Sequence, residues 1–334
     1  MNAPKTLKEL AQLAGVTSGT VSRALSGSEL VTPATRDMIV ALARQHGFTP
    51  NATARNLRMR KTNTIGVVIP LGHEVRQNIS DPFFITMLGL LADKLTNRGY
   101  SLLLSRVVPT DEDWLLKLAR SGQSDGIIVI GQSDQSAVLD RVAELYRPLV
   151  VWGSHIAGQA HCSVGSDNFR GGALAAQHLI ERGCRNIVFF GDPRVIEIGQ
   201  RLDGCRSAVA RMGGSVEFSV VPTHLVADEA QGEIGKYFRA KSNRPDGVVA
   251  ASDVIAVTAM RVLAEQGLSV PGDVKVIGYD GLPLGEHTMP PLTTIAQDLE
   301  QGAENLVNIA IQRIAGEEIH SVILQPRLLE REST

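Results

Sequence analysis

The sequence predicts an all-α N-terminal head followed by a two-lobed, doubly wound α/β body. Three observations lead there. Three short amphipathic helical patterns fill residues 6–46. From Ile65 onward, apolar strand segments alternate with helical ones, the signature of parallel sheets covered on both faces. Charge also divides along the chain: residues 1–61 carry nine Lys/Arg against three acids, a net +6, which leaves −8 on the rest of a chain whose formal charge is −2. A basic head on an acidic body points to a polyanion as partner of the head alone.

In the head, Thr6 is placed to cap a first helix, with Glu9 at the capping-box spacing. Leu7, Leu10, Ala11 and Ala14 form its apolar stripe, and Gly15 can end it. Thr17 caps a second helix holding Val21, Ala24 and Leu25. Thr32-Pro33 opens a third, with Met38, Ile39, Leu42 and Ala43 inward and Gly47 at its close. Two short helices about a tight Gly turn have helix-turn-helix geometry, which sets the second helix in a major groove. Thr17, Ser18, Thr20, Ser22 and Arg23 would then offer hydroxyls and one guanidinium fork to phosphates and base edges. An ordinary capped helix pair fits the same spacing. Residues 51–59 are basic and poor in apolar side chains, a marginal helix that can await a partner before it orders.

The body begins with the apolar run Ile65–Pro70. Further strands are expected at Leu102–Arg106, Gly126–Ile130, Leu149–Trp152, Ile187–Phe190, Val216–Val221, Gly247–Ala250 and Val274–Tyr279, with a last strand-like stretch at Val322–Gln325. Helices are expected near 83–98, 111–121, 134–146, 170–182, 200–212, 228–240, 254–266 and 299–315. About 270 residues exceed what one such sheet usually holds, so two lobes are expected, each turning the carboxyl ends of its strands toward a ligand crevice.

Composition narrows the function classes. Apolar content is 43% and charged content 20%, enough for a packed core, and no apolar run approaches a membrane span. Met1–Leu13 lacks a charged-then-apolar signal pattern, so a cytoplasmic location is expected. Cys162, Cys184 and Cys205 are few and far apart, as buried reduced thiols rather than a disulfide or metal set. The eight histidines show no metal spacing, and GxGxxG, P-loop, GxSxG and HExxH motifs are missing. No enzyme activity, cofactor or metal is expected.

Beyond these readings, Thr6–Thr17, Thr20–Leu25, Val31–Arg36 and Gly47–Leu57 resemble the head of the LacI/GalR family of bacterial repressors, and the likeness runs through the whole chain. The resemblance implies that Ser18, Gly19 and Arg23 occupy base-reading positions, with Gly19 standing where a polar side chain is usual. It implies phosphate contacts at Thr6, Thr20, Ser22, Thr32, Thr35 and Asn51. It further implies a hinge helix at about 51–59 that enters the minor groove, with Ala54 facing the groove and Leu57 wedged between base steps. Residues 1–60 would form this DNA-binding unit and residues 63–334 an effector-binding and dimerisation unit. That unit would resemble periplasmic sugar-binding proteins, with lobes at 63–164 plus 294–322 and at 165–293 plus 323–334.

The body pieces that carry the likeness are Asp81–Phe84, Gly165–Asn168 with Gly171-Gly172, Arg201–Gly204, Ser252-Asp253, Pro271–Asp273, Gly278–Asp280 and Pro291–Thr294. The resemblance places Arg201 and Asp280 at ligand positions, suited to bracketing vicinal hydroxyls. Phe83, Phe84 and Trp152 suit the C–H face of a ring, and Asp167 and Asp253 are further acceptors. Phe84 also reads as core, and Asp167 as a helix cap. Ser252 replaces a common Asn and Gly281 a common second acid; Val195, Glu197 and the polar loop 131–135 lie nearby. The implied function is a homodimeric repressor of a palindromic operator in double-stranded DNA. Its effector would be a small molecule, expected to be a sugar and more narrowly an α-glucoside disaccharide. A purine-type corepressor and a sugar-binding module without DNA remain the alternatives. No leucine heptad follows Gln325, so a dimer rather than a coiled-coil tetramer is expected.

Overall fold

A computed structural model describes residues 4, 6–48, 61–72, 76–132, 134–240 and 244–334. The chain forms two compact units, Met1–Thr62 and Asn63–Thr334. The hinge positions Asn51, Ala54 and Leu57 lie outside the described residues.

The first unit holds helices α1 (Leu7–Ala14), α2 (Ser18–Leu25) and α3 (Pro33–Gln45). Each is opened by a threonine whose hydroxyl accepts a backbone N–H three residues on: Glu9 N to Thr6, Thr20 N to Thr17 and Thr35 N to Thr32. Gly15 takes φ 66°, the left-handed conformation that lets Val16 N donate back to Ala11 O and turns the chain into α2. Leu10, Val21, Val31 and Ile39 meet in a small core.

The second unit is built on two six-stranded sheets. The first contains β1 (Thr64–Pro70), β2 (Ser101–Val107), β3 (Gly126–Ile130), β4 (Leu149–Trp152), β5 (Cys162–Ser166) and β11 (Val322–Leu324), in the order β11-β5-β4-β3-β1-β2, all parallel. Alternate residues of β1 enter different cores: Ile65, Val67 and Ile69 pack with helices α4 (Pro82–Asn97) and α11 (Leu299–Ile314), and Val68 with α5 (Trp114–Arg120) and α6 (Ser136–Leu145). Both faces are thus covered, as a parallel sheet requires.

The second sheet contains β6 (Asn186–Phe190), β7 (Glu217–Val221), β8 (Gly247–Ala250), β9 (Lys275–Asp280), β10 (Thr293–Ala296) and β12 (Arg327–Leu329), in the order β12-β10-β9-β8-β6-β7. Only β12 runs antiparallel to its neighbour among the pairs described. Helices α7 (Asn168–Glu181), α8 (Ile196–Ala210), α9 (Ala227–Ala240) and α10 (Asp253–Glu265) pack around it. The chain changes lobe after Ser166, after Ala296 and after Leu324, where changes near 164/165, 293/294 and 322/323 were expected. The reason for the later second crossing is that Thr293–Ala296 pairs with β9 as a full strand before Asp298, at φ 55°, turns the chain into α11.

Candidate DNA-reading face and ligand crevice

In the head, Val21 and Ala24 point into the core, which leaves Ser18, Gly19 and Arg23 exposed on α2. Gly19 and Arg23 lie one helical turn apart. Thr17 and Thr20 join hydroxyls at 2.9 Å, as do Thr32 and Thr35. Those hydroxyls therefore build the helix starts as well as facing solvent; Thr6, Thr17 and Thr32 are exposed, and Thr20, Ser22 and Thr35 half-buried. A Cβ on Gly19 would meet only the Thr17 hydroxyl, at 3.7 Å, so the position has room for a side chain.

In the body, a crevice partly open to solvent lies between the carboxyl ends of the strands of both sheets. Gly131 follows β3, Trp152 and Gly153 end β4, Ser166 ends β5, Ser252 follows β8 and Asp280 ends β9. Open α/β sheets present their ligand sites at these ends. The first lobe contributes an aromatic wall. Phe83 stands edge-on to Phe84 at 5.8 Å between ring centroids and lies 6.3 Å from Trp152. Asp81 opens α4 by accepting from Phe83 N at 2.9 Å, which fixes the two phenylalanines at the helix start; Pro82 occupies its first turn.

The second lobe contributes the charged floor. Arg201, on α8, is 7% exposed. Its Nε donates to Asn168 Oδ1 at 2.8 Å and its Nη1 to Ala251 O at 2.6 Å, while its guanidinium lies 3.7 Å over the Tyr279 ring. Asp280 Oδ1 is 3.9 Å from Nη1 and accepts from Gln297 Nε2 at 2.6 Å. This placement depends on a close approach of α7 and α8. A Cβ on Gly172 would fall 1.8 Å from Arg201 O, and one on Gly204 would fall 1.9 Å from Phe169 O. Glycine is the residue that lets two helix backbones come this near.

Burial drives the Asp280 carboxyl well above its usual range; Arg201 opposes the shift, and Asp253 and Asp81 add to it. Burial likewise raises Asp81, against its bonds from Gln77 and Phe83 N. Asp280 sits at φ 124°, a strained backbone for a residue with a side chain. Gly281 follows at φ 75°, and a Cβ there would lie 2.7 Å from Ala296 Cβ. A second acid at this position would have no space.

Of the seven expected effector contacts, the crevice brings together Phe83, Phe84, Trp152, Arg201 and Asp280. Phe84 is also core, at 7% exposed. Asp167 and Asp253 lie outside the lining. Asp167 is occupied as the cap of α7, accepting from Arg170 N at 2.9 Å. Asp253 is fully buried, accepting from Thr294 Oγ1 at 2.5 Å and Leu282 N at 2.7 Å, so it ties the ends of β9 and β10 together. The lining also includes residues not singled out from sequence: Gln77, Asp81, Ser166, Asn168, Leu225 and Gln297. Asp81, Ser166 and Asn168 lay inside motifs already recognised, one or two positions from the residues chosen. Gln77 and Leu225 are loop residues with no local signal. Ser166 Oγ is a buried hydroxyl beside the Tyr279 hydroxyl at the crevice wall. Arg201 is the sole cation among the described lining residues, against Asp81, Glu197 and Asp280.

Comparison with known proteins places both regions. The family model of bacterial regulatory proteins of the lacI family matches residues 6–51, and that of a periplasmic binding protein-like domain matches residues 176–334. The HTH-type transcriptional regulator CelR of Thermobifida fusca is 31% identical over 98% of each chain. A solved transcriptional regulator CelR–cellobiose complex superposes with a TM-score of 0.69 at 29% identity, covering 99% of this chain and 100% of that one. The lac repressor dimer bound to operator and the anti-inducer ONPF shares the fold, with a TM-score of 0.86 at 22% identity over 99% of both chains. No helix among the described residues is long and apolar enough to cross a membrane. With helix-turn-helix head, two-lobed body and full-length relatives all in agreement, the chain belongs to the lacI family of bacterial regulatory proteins, transcriptional regulators rather than enzymes, and carries a periplasmic-binding-protein-like effector domain.

Proposed function

We propose that this regulator represses its genes by binding a palindromic operator as a cytoplasmic homodimer, and that a neutral sugar in the crevice releases it. The observation that carries the sugar reading is the pairing of an aromatic wall, Phe83 and Trp152, with a hydrogen-bonded charged floor, Arg201 and Asp280. Ring stacking suits the C–H face of a sugar, and paired charged groups suit its vicinal hydroxyls. Neutrality follows from the supply of cations: the single guanidinium among the described lining residues is already engaged by Asn168, Ala251 and Tyr279. An anionic sugar would find no uncommitted cation among them to meet its charge. The cellobiose complex of a relative favours a disaccharide; nothing in the lining favours an α-linkage.

Residues 1–60 form the DNA-binding unit in this reading, with the hinge helix at 51–59, and residues 63–334 sense the ligand. Ser18, Gly19 and Arg23 face base edges, with the threonine and serine hydroxyls of the head on phosphates. Dimer pairing has support in the edge strand β2, where Leu103 and Leu104 are exposed. The ligand acts by linkage: it shifts operator binding only as far as its affinity differs between two lobe arrangements.

A panel of cellobiose, maltose, ribose and glucose 6-phosphate, read by thermal shift, tests the ligand class. A neutral disaccharide should raise the melting temperature and release a duplex selected by the protein itself from random sequence. Stabilisation by the phosphate ester alone would overturn the charge argument. Leu57→Ala should weaken the selected duplex at least tenfold more than random DNA, by loss of the minor-groove wedge; equal losses on both would remove the wedge from the account.

A further inference from the structure

A line of buried and half-buried polar side chains crosses between the lobes beside the crevice. Arg201 Nε can only donate, so Asn168 must present its oxygen to it, at 2.8 Å. The Asn168 amide nitrogen then donates to Ser154 Oγ at 2.9 Å. The Ser154 hydroxyl proton remains free to donate onward, and it does so to Gln200 Oε1 at 2.8 Å. Ser154 follows β4 in the first lobe, while Gln200 and Arg201 are neighbours on α8 in the second.

The other end is anchored as firmly. Gln132 Nε2 donates to the Ser154 carbonyl at 2.8 Å and lies 3.0 Å from His161 Nε2. His161 must therefore accept there, so its Nδ1–H donates to Asp140 at 2.6 Å. Asp140 also accepts from Ala160 N and His161 N. Gln132, Ser154, His161 and Asn168 are each no more than 3% exposed. Chains of aligned bonds in a low-dielectric interior reinforce one another, and a broken link leaves a buried group unpaired.

We infer that Ser154 is a positioning residue that holds the two lobes in this arrangement and, through Asn168, sets the orientation of Arg201 in the crevice. Neither Ser154 nor Gln200 lines the crevice, so their effect on it passes through Asn168 and Arg201. A ligand that draws on Asn168 or Arg201 thereby alters the bond that spans the lobes. The bonds between Asn168, Ser154 and Gln200 hold the lobes whichever ligand the crevice takes.

The test uses the full-length protein with spin labels on cysteines placed at exposed Gln123 and Arg211, one in each lobe; the three native cysteines are buried. Ser154→Ala and Gln200→Met should each raise the ratio of open to closed lobe distances about fivefold, the equivalent of one lost internal hydrogen bond. Ser154→Ala should do at least as much as Gln200→Met, because it also removes the bond from Asn168, and the double variant should do no more than Ser154→Ala alone, because the Gln200 bond is already gone there. Gln200→Glu keeps the acceptor and should restore the closed distribution. In protein labelled with 15N-arginine, the Arg201 Nε–H, identified by its loss in Arg201→Lys, should exchange faster with solvent in Ser154→Ala. A lower melting temperature with unchanged distances and unchanged Nε–H exchange would overturn the proposal, leaving Ser154 as ordinary packing.

Discussion

The head and the crevice solve opposite problems with similar polar residues. In the head, the candidate contacts are exposed or half-buried and their bonds are local: Thr17 with Thr20, Thr32 with Thr35. The small core of Leu10, Val21, Val31 and Ile39 forms without them. In the crevice, Arg201 binds Asn168, 33 positions away, and Ala251, 50 positions away, and every partner is buried. Recognition in the head is therefore a surface property that can change while the fold persists. In the body, the groups proposed to meet the ligand also hold the lobe together, so altering one should cost stability as well as binding.

The sharpest way to break this contrast is to disturb the backbone beneath the crevice. Gly172→Ala places a methyl 1.8 Å from a backbone oxygen of α8, where no side chain can yield. We expect a loss of ~3 kcal/mol, at the upper end for overpacking, with a melting temperature lower by roughly 5–10 °C. Calorimetry measures it. A loss below ~1 kcal/mol would mean that α7 and α8 can separate and that Arg201 is less firmly seated than the bonds imply.

The paired substitutions Arg201→Ala and Arg23→Ala come next. Removing Arg201 leaves the Asn168 oxygen and the Ala251 carbonyl without their donor and the Asp280 carboxyl without its nearby guanidinium, a loss of ~2–3 kcal/mol together with ligand binding. Removing exposed Arg23 should leave stability within ~0.5 kcal/mol and relax sequence preference at one symmetric base-pair position by about 1–3 kcal/mol. Chemical denaturation and a position-by-position binding matrix separate the two. If Arg23→Ala destabilises the head as much as Arg201→Ala destabilises the body, the contrast fails.

The same division governs what the sequence disclosed. Strands with continuous β-branched or apolar runs, Gly126–Ile130, Leu149–Trp152 and Gly247–Ala250, fall where periodicity puts them. Cys162–Ser166, Thr293–Ala296 and Arg327–Leu329 escaped, because they are short and rich in Ser, Thr, Gly or Arg; their pairing comes from neighbouring strands, not from their own hydrophobicity. Helix α8 begins at Ile196 rather than near 200, as Val195 at its start offers no side-chain cap to read. In the head, the caps are local and visible, and all three helix starts follow from Thr6, Thr17 and Thr32. The crevice is non-local. Arg201 and Asp280 came from motifs, but the partnership of Asn168 with Ser154 and the distraction of Asp253 toward Thr294 depend on three-dimensional neighbours.

A subtler difference lies in pH. Asp280, Asp253 and Asp81 all hold protons more tightly in the folded body than in the unfolded chain, chiefly through burial. Above the unfolded carboxyl range near pH 4, the unfolded chain sheds those protons first, so these groups weaken the fold as pH rises. Asp280→Asn cannot ionise. Its stability relative to the parent protein should climb between pH 4 and 7 by ~1 kcal/mol, whatever the offset from the altered contact with Arg201. Urea midpoints across that range measure the slope. A flat difference would mean that Arg201 compensates Asp280 fully and that the floor of the crevice is a balanced ion pair.

The smallest expected effect falls at Gly19. This residue lies in the first turn of α2, on the exposed face, with only the Thr17 hydroxyl within reach of an added methyl. Its φ is not in the left-handed region, so alanine fits the backbone, and Gly19→Ala should stabilise the head by ~0.5 kcal/mol through the restricted unfolded chain. A longer polar side chain, Gly19→Gln, should leave stability nearly as high and add discrimination at the base pair that glycine leaves unread, on the order of 1 kcal/mol. The contrast with Gly172 is then complete in one experiment: the same Gly→Ala change is tolerated on the exposed face of α2 and rejected where the backbone seats Arg201. A head destabilised by Gly19→Ala would show that the recognition surface, too, is constrained by packing not yet visible in its exposed face.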